Sequence, residues 1–228
     1  SGRIIVGLVD TAVQPLGDGL DSFLLKQLSA VPSADLDPAV PTHGTAMAET
    51  ILQGIESVTG SGTSVQIQPV NVFPDPDGST TTFDVLQGMV LAFNSGSKII
   101  NLSLGGTEET DAMRDLIDTL AKKDVLVVGA KGNEPTTEPF FPAAYDTVLA
   151  VTALEPNGEV APYANRAPVP ALGAPGTSIV YYQRQGWAVS GTSPAAADVS
   201  GMAAGYMDKN AASTKQARAW LEQRLPNE

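Results

Sequence analysis

The stretch that decides the fold is RIIVGLVDT, residues 3–11, in which six apolar or glycine residues lead into an aspartate. A continuous β-branched and apolar run of this kind is typical of a strand buried on both faces of a parallel sheet. Four other segments show the same pattern, namely residues 65–73, 98–104, 125–130 and 147–151. Apolar residues at three- and four-residue spacing predict helices between them, after His43 and over residues 83–93 and 113–120. Strands that alternate with helices predict a three-layer, doubly wound α/β fold with a mostly parallel sheet.

The last quarter of the chain has a different pattern. Residues 179–189 predict an extended hairpin, and residues 191–207 predict a helix rich in small side chains, able to pack closely through the middle of the fold. A final helix is predicted over residues 214–225, with Thr214 as its N-cap. Neither a repeat nor a linker interrupts the sequence, so we expect residues 1–228 to form a single domain.

Composition excludes several classes of function. The 13 basic and 25 acidic residues give a net charge of −12 without a basic cluster, which argues against nucleic acid or an anionic membrane as partner. Cysteine is absent and His43 is the only histidine, so thiolate nucleophiles, disulfides and multi-histidine metal sites are excluded. We expect no metal and no cofactor. The sequence shows neither a secretory signal nor a long apolar run, so we expect a soluble protein.

Polar residues follow the predicted strands or begin the predicted helices. Ligands of open parallel sheets bind outside the carboxyl ends of the strands. Six polar residues lie at such positions: Asp10, His43, Asn101, Ser103, Asn133 and Ser193. Each alone has an ordinary structural explanation as a turn residue, a helix cap or a left-handed asparagine. Their joint appearance in one sequence points instead to one chemical site.

Seven blocks of sequence carry a resemblance. They are VGLVDT around Asp10, HGTAMAETI from His43, KIINLSLGG, VLVVGAKGNE around Asn133, FFPAAYDTVLAVTA, APYANRAPVPALGAPG, and GTSPAAADVSG around Ser193. With these blocks in this order, the chain resembles the subtilisin-like serine proteases, the subtilases, over nearly its whole length. The resemblance implies a serine endopeptidase with a triad of Asp10, His43 and Ser193. It also implies that the Asn133 side chain stabilises the oxyanion.

The resemblance further implies how a peptide or protein substrate binds in an extended conformation. One edge for the substrate would be Ser103, Leu104 and Gly105, and the opposite edge would be Ser79 and Thr80. The pocket for the residue before the scissile bond would lie between Gly105 and the segment of Ala130, Lys131 and Gly132. Because these residues are mostly small, we expect a roomy slot. A propeptide partner and a secreted or periplasmic location also follow from the resemblance, although the sequence itself does not fix the compartment.

Two departures from the usual family pattern lie close to the predicted nucleophile. Pro194 directly follows Ser193, and Asp198 stands on the same predicted helix, where it needs a partner or must face solvent. Two alternatives stay open. The departures suggest the first, which is a weakly active or inactive binding or scaffold protein that keeps the fold. The second is a peptide-processing or transpeptidating enzyme of the same fold.

Overall fold

A computed structural model describes residues 3–60 and 62–228 of the chain. Its main sheet contains seven strands that pair in parallel, in the order β2-β3-β1-β4-β5-β6-β7. The strands are β1 (Ile5–Asp10), β2 (Leu28–Ser29), β3 (Gln66–Asn71), β4 (Ile99–Leu102), β5 (Leu126–Ala130), β6 (Leu149–Leu154) and β7 (Leu172–Pro175). A separate antiparallel hairpin joins β8 (Thr177–Tyr182) to β9 (Gln185–Ser190), as the sequence predicted.

Helices cover both faces of the sheet. They are α1 (His43–Thr59), α2 (Thr82–Asn94), α3 (Asp111–Lys122), α4 (Thr192–Asn210) and α5 (Thr214–Arg224), besides a short 3₁₀ turn at Leu20–Phe23. Helices α1, α4 and α5 pack on one face, and α2 and α3 on the other. This arrangement confirms the predicted three-layer α/β fold. Among the described residues, none of the helices has both the length and the apolar character that a membrane span requires.

Strand β1 shows why its sequence is continuously apolar. Val6 and Leu8 point into the core beneath α1 and α4, whereas Val9 points into the core beneath α2. All three side chains are fully buried, because helices cover both faces of the strand. Side chains alternate between the two faces of a strand, so Asp10 lies on the same face as Val6 and Leu8. Its side chain therefore projects toward the layer that contains α1.

Three details differ from the sequence-based expectations. Strands β2 and β7 were not predicted, because one has two residues and the other, LGAP, contains glycine and proline in place of an apolar run. The final helix is capped by Ser213 and not by Thr214, so the predicted N-cap was wrong. Ser213 Oγ accepts the Gln216 amide, and the Gln216 side chain accepts the Ser213 amide, which together form a capping box.

Helices α1 and α4 approach each other closely. A Cβ built on Gly201 would lie 2.1 Å from the Ile51 carbonyl oxygen, and one built on Gly54 would lie 2.3 Å from the Asp198 carbonyl oxygen. The two backbones therefore touch, and only glycine fits at these contacts. Helix α1 begins at His43 and α4 begins at Thr192, next to Ser193. The contact therefore also places the starts of these two helices, which carry the predicted catalytic residues, beside each other.

Replacing Gly201 with alanine should force α1 and α4 apart. Overpacking of this kind costs about 1–3 kcal/mol, so the free energy of unfolding should fall by that amount. Denaturant unfolding of Gly201→Ala measures it. Gly106→Ala is the matched control, because a Cβ on Gly106 meets nothing within 4 Å. Equal stability of Gly201→Ala and the wild-type protein would contradict the tight contact.

Candidate active site

Asp10 and His43 form a direct pair at the end of β1. Asp10 is buried, with 1% of its surface exposed, and its Oδ1 lies 2.7 Å from Nδ1 of His43. The Thr11 amide donates to the same oxygen at 2.7 Å. Because a carboxylate only accepts hydrogen bonds, Nδ1 of His43 must carry the hydrogen. The other ring nitrogen, Nε2, is then the basic one.

The environment of His43 shifts its pKa in opposing directions. Desolvation by burial lowers the pKa of His43, whereas the charge of Asp10 and the hydrogen bond to it raise the pKa. The net result is a pKa above the ordinary 6.5. The side chain nevertheless keeps 41% of its surface exposed, so the imidazole is accessible from the solvent.

Ser193 lies in the first turn of α4 and points toward β4. Its hydroxyl donates to the carbonyl oxygen of Ser103 at 3.1 Å, and the Ser103 hydroxyl donates to the Ser193 carbonyl oxygen at 2.9 Å. The hydrogen bond from Ser193 to His43 that the triad requires is not made in this arrangement. Rotation of the serine side chain about its Cα–Cβ bond is the motion that redirects the hydroxyl.

Below Ser193 a chain of buried polar groups joins β4 to α4. The Asn101 amide nitrogen donates to Ser103 Oγ at 3.0 Å, and Ser200 Oγ donates to Asn101 Oδ1 at 2.9 Å. Asn101 and Ser200 have no exposed surface. Buried polar groups are costly unless they are satisfied, so this chain holds α4 in one position against β4. The sequence marked Asn101 as polar but gave no partner for it.

Asn133 follows β5 and is oriented by Thr192. Its Oδ1 accepts hydrogen bonds from the Thr192 amide at 2.8 Å and from the Thr192 hydroxyl at 3.0 Å. With the oxygen held in this way, the amide nitrogen of the exposed Asn133 side chain donates to no group within the described part of the chain. Thr192 also accepts the Gly132 amide at 3.1 Å. Sequence analysis missed this role of Thr192, for which adjacency to Ser193 was the only signal.

Most predicted site residues line one cleft of about 380 Å³. These are His43, Ser103, Leu104, Gly105, Ala130, Gly132, Asn133 and Ser193. The predicted opposite edge, Ser79 and Thr80, lines an adjoining cleft of about 340 Å³, which shares Leu104 and Gly105 with the first. The structure thus brings together residues from the ends of β4 and β5 and the starts of α1 and α4.

One expectation about the pocket is wrong, and a second is limited by the structure to the backbone. The Lys131 side chain lines neither cleft, because it is buried with 3% exposed and its Nζ lies 2.5 Å from Oε2 of Glu228. The slot between Gly105 and Gly132 is not roomy, because the ring of Phe140 lies in it. The two glycines leave space for a side chain, and the Phe140 side chain fills that space.

The departures near the nucleophile leave the site intact. Pro194 lies in the first turn of α4, where a missing amide hydrogen costs no helical hydrogen bond, and the Ser193 amide remains available as a donor. Asp198 is half-buried against Gly54 of α1, and this burial raises its pKa to about 6.

A parallel α/β sheet with an aspartate–histidine pair and a serine at one cleft carries the chemical groups that serine hydrolases use. Residues 1–226 match the model of the subtilase family, and the chain belongs to this family.

Curated relatives are proteases. A thermostable alkaline protease of Halalkalibacterium halodurans is 34% identical over 166 residues, which cover 71% of this chain and 46% of that protein. A thermophilic serine proteinase of Bacillus sp. strain AK1 is 32% identical over 208 residues, which cover 87% of this chain and 51% of that protein. The chain therefore spans about half the length of these relatives. The solved protease domain of PatA is 28% identical with a TM-score of 0.78, over 91% of this chain and 80% of that one.

Titration of His43 by NMR tests the pair directly, since it is the only histidine. Its imidazole should titrate with a pKa above 6.5 in the wild-type protein. In Asp10→Asn the negative charge that favours the imidazolium is lost, so the midpoint should move to lower pH. Circular dichroism confirms that the variant is folded. A wild-type midpoint at or below 6.5, or no shift in the folded variant, would contradict the pair.

Proposed function

We propose that this chain is a serine endopeptidase whose nucleophile is Ser193, and that residues 1–228 act as one peptidase domain. The observation that carries the proposal is that Ser193 and the His43 of the Asp10–His43 pair lie at one cleft. Asp10 holds Nδ1 of His43 at 2.7 Å, and His43 and Ser193 line the same cleft although they start different helices. Membership of the subtilase family supports the same reaction.

The proposed reaction begins with rotation of the Ser193 hydroxyl from the Ser103 carbonyl toward His43. Nε2 of His43 takes the hydroxyl proton as the serine oxygen bonds to the scissile carbonyl carbon. The resulting imidazolium is stabilised by Asp10 and gives its proton to the nitrogen of the leaving amine as the C–N bond breaks. Water then attacks the acyl-enzyme by the reverse proton path, which releases the carboxylic acid and restores Ser193.

Two hydrogen-bond donors would stabilise the oxyanion. The Ser193 amide lies in the first turn of α4, where helix amides lack partners within the helix and the helix dipole favours negative charge. The second donor is the Asn133 amide nitrogen, which is directed by the two hydrogen bonds that Thr192 gives to its oxygen. Such donors act strongly because they are oriented before the charge develops.

The substrate would bind as an extended peptide. Ser103, Leu104 and Gly105 provide one edge, and Ser79 and Thr80 provide the other across the two adjoining clefts. Thr80 is fixed in place by its hydroxyl, which donates to the Val72 carbonyl oxygen at 2.5 Å. Backbone pairing of this kind supplies affinity, and the side-chain pockets supply preference.

A peptide-processing role is the second candidate function. The likeness to PatA, which is described as a patellamide maturation protease, favours it at 28% identity and a TM-score of 0.75. In this case the acyl-enzyme would pass to an amine of a second peptide or to water after cleavage at one site of a precursor. Mass spectrometry of the products formed from a peptide mixture distinguishes joined peptides from hydrolysed ones.

A fluorophosphonate probe tests whether Ser193 is activated. The serine oxygen displaces fluoride from the phosphorus only when a base removes its proton, so the wild-type protein should be labelled on Ser193. Ser193→Ala and His43→Ala should both lose the label while remaining folded. Labelling of His43→Ala at the wild-type rate, or a folded wild-type protein that takes no label, would favour a binding protein over an enzyme.

Asn133→Ala should lower kcat on the order of 10²–10³-fold with a smaller change in KM, because an oxyanion donor acts mainly in the transition state. Steady-state kinetics with a fluorogenic peptide measures both constants. Glu134→Ala, a change of the neighbouring exposed side chain, is the matched control and should behave as the wild-type enzyme. A loss confined to KM would remove Asn133 from the oxyanion site.

A further inference from the structure

The ring of Phe140 lies between the two backbone walls of the cleft. A Cβ built on Gly105 would come within 2.5 Å of Cε1 of the ring, and one built on Gly132 would lie 3.0 Å from Cγ and 3.2 Å from both Cδ atoms. The glycine backbones on the two walls therefore contact the ring from two directions. The same cleft is lined by His43, Asn133 and Ser193.

We propose that Phe140 occupies the pocket for the residue before the scissile bond and restricts that residue to glycine or alanine. The inference rests on the proposed peptidase function and on the proposed pocket between Gly105 and the segment of Ala130 and Gly132. A substrate side chain that enters this pocket must pass between the same two backbones. Because protein interiors are close-packed, a second large side chain cannot share that space with an aromatic ring.

The segment that carries Phe140 is held in place on both sides. Phe141 and Gly106 exchange two backbone hydrogen bonds, of 2.7 and 2.9 Å, directly after the ring. Before the ring, the Asn165 amide nitrogen donates to the Glu138 carbonyl oxygen at 2.9 Å, and Asn165 is buried with 3% exposed.

The Phe140 carbonyl is also engaged, since it accepts the Ala144 amide at 2.9 Å. Moving the backbone that carries the ring would break several of these hydrogen bonds at once. These hydrogen bonds therefore favour a Phe140 ring that stays in the pocket and sets specificity. They do not favour a flap that opens for each substrate.

The size of the effect follows from the space that the ring fills. Even one methylene group in a hydrophobic pocket changes kcat/KM by about 10–200-fold. Excluding a phenylalanine or leucine side chain altogether should therefore disfavour such substrates by at least about 100-fold relative to glycine or alanine. Replacing Phe140 with alanine should reverse this preference by freeing the volume of the ring.

The experiment uses a series of fluorogenic peptides that differ only in the residue before the scissile bond: glycine, alanine, leucine or phenylalanine. The wild-type protein should have the highest kcat/KM with glycine and alanine. In Phe140→Ala the ratio of kcat/KM for phenylalanine over glycine should rise by at least about 100-fold. Phe140→Leu, which keeps more of the packing, should raise the leucine or phenylalanine ratio less, and it serves if Phe140→Ala does not fold.

The matched control is Phe83→Ala, because Phe83 is exposed on α2 and lines neither of the two clefts. Its profile should equal that of the wild-type protein. A wild-type enzyme that cleaves after phenylalanine as well as after glycine, or a folded Phe140 variant with an unchanged profile, would overturn the inference.

Fluorophosphonate labelling of the same proteins tests the peptidase function separately from the role of Phe140. Labelled wild-type protein with no restriction before the scissile bond would overturn the role of Phe140 and leave the peptidase function standing. Folded wild-type protein without labelling would overturn the peptidase function, and the role of Phe140 with it.

Discussion

The contact between α1 and α4 is the constraint on which the proposed site depends. The Gly201 backbone lies against the Ile51 carbonyl, and the Gly54 backbone lies against the Asp198 carbonyl, so neither contact leaves room for a methyl group. Because His43 begins α1 and Ser193 lies in the first turn of α4, the distance between the proposed base and the proposed nucleophile is set by this packing. The sheet supplies the third group, since Asp10 closes β1 on the face that α1 covers. Three residues far apart in sequence are thus positioned by backbone contacts, and side-chain flexibility enters only at the last rotation of the Ser193 hydroxyl.

The burial of Asp10 strengthens its electrostatic interaction with His43. A carboxylate removed from water is unfavourable unless it is paired and hydrogen-bonded. Oδ1 has two donors, the His43 ring and the Thr11 amide, whereas Oδ2 is buried and has no hydrogen-bond partner among the described residues. A carboxylate so weakly solvated interacts strongly with a charge on the imidazole, which accounts for the raised pKa of His43. Charge formation on His43 during proton transfer would be favoured by the same interaction.

The sequence predicted the layers from local patterns, and it predicted the candidate site from its resemblance to the subtilases. Buried strands such as β1 are marked by continuous apolar runs. The helix that begins at His43 is marked by apolar residues at three- and four-residue spacing. What it could not predict depends on contacts between distant segments. The Ser193 hydroxyl bonds to the Ser103 carbonyl, which no pattern around Ser193 indicates. Small residues at Gly105 and Gly132 were interpreted as open space, whereas Phe140 enters from another loop. The N-cap at Ser213 was misplaced by one residue because serine and threonine are adjacent and both cap well.

Lys131 shows how the proposed wall of the substrate pocket is supported by residues outside the cleft. It follows Ala130 and precedes Gly132, so its backbone would form part of that wall, while its side chain points away to Glu228. The segment that contains Glu228 adds to β7 through hydrogen bonds of Gly173 to Pro226 and of Glu228 to Ala171. A buried lysine is stable only when its charge is paired, so the ion pair ties the wall of the cleft to the far edge of the sheet. The rigidity that the Asn133 loop would need for its proposed donor role therefore comes partly from residues about a hundred positions later, whose role no local pattern reveals.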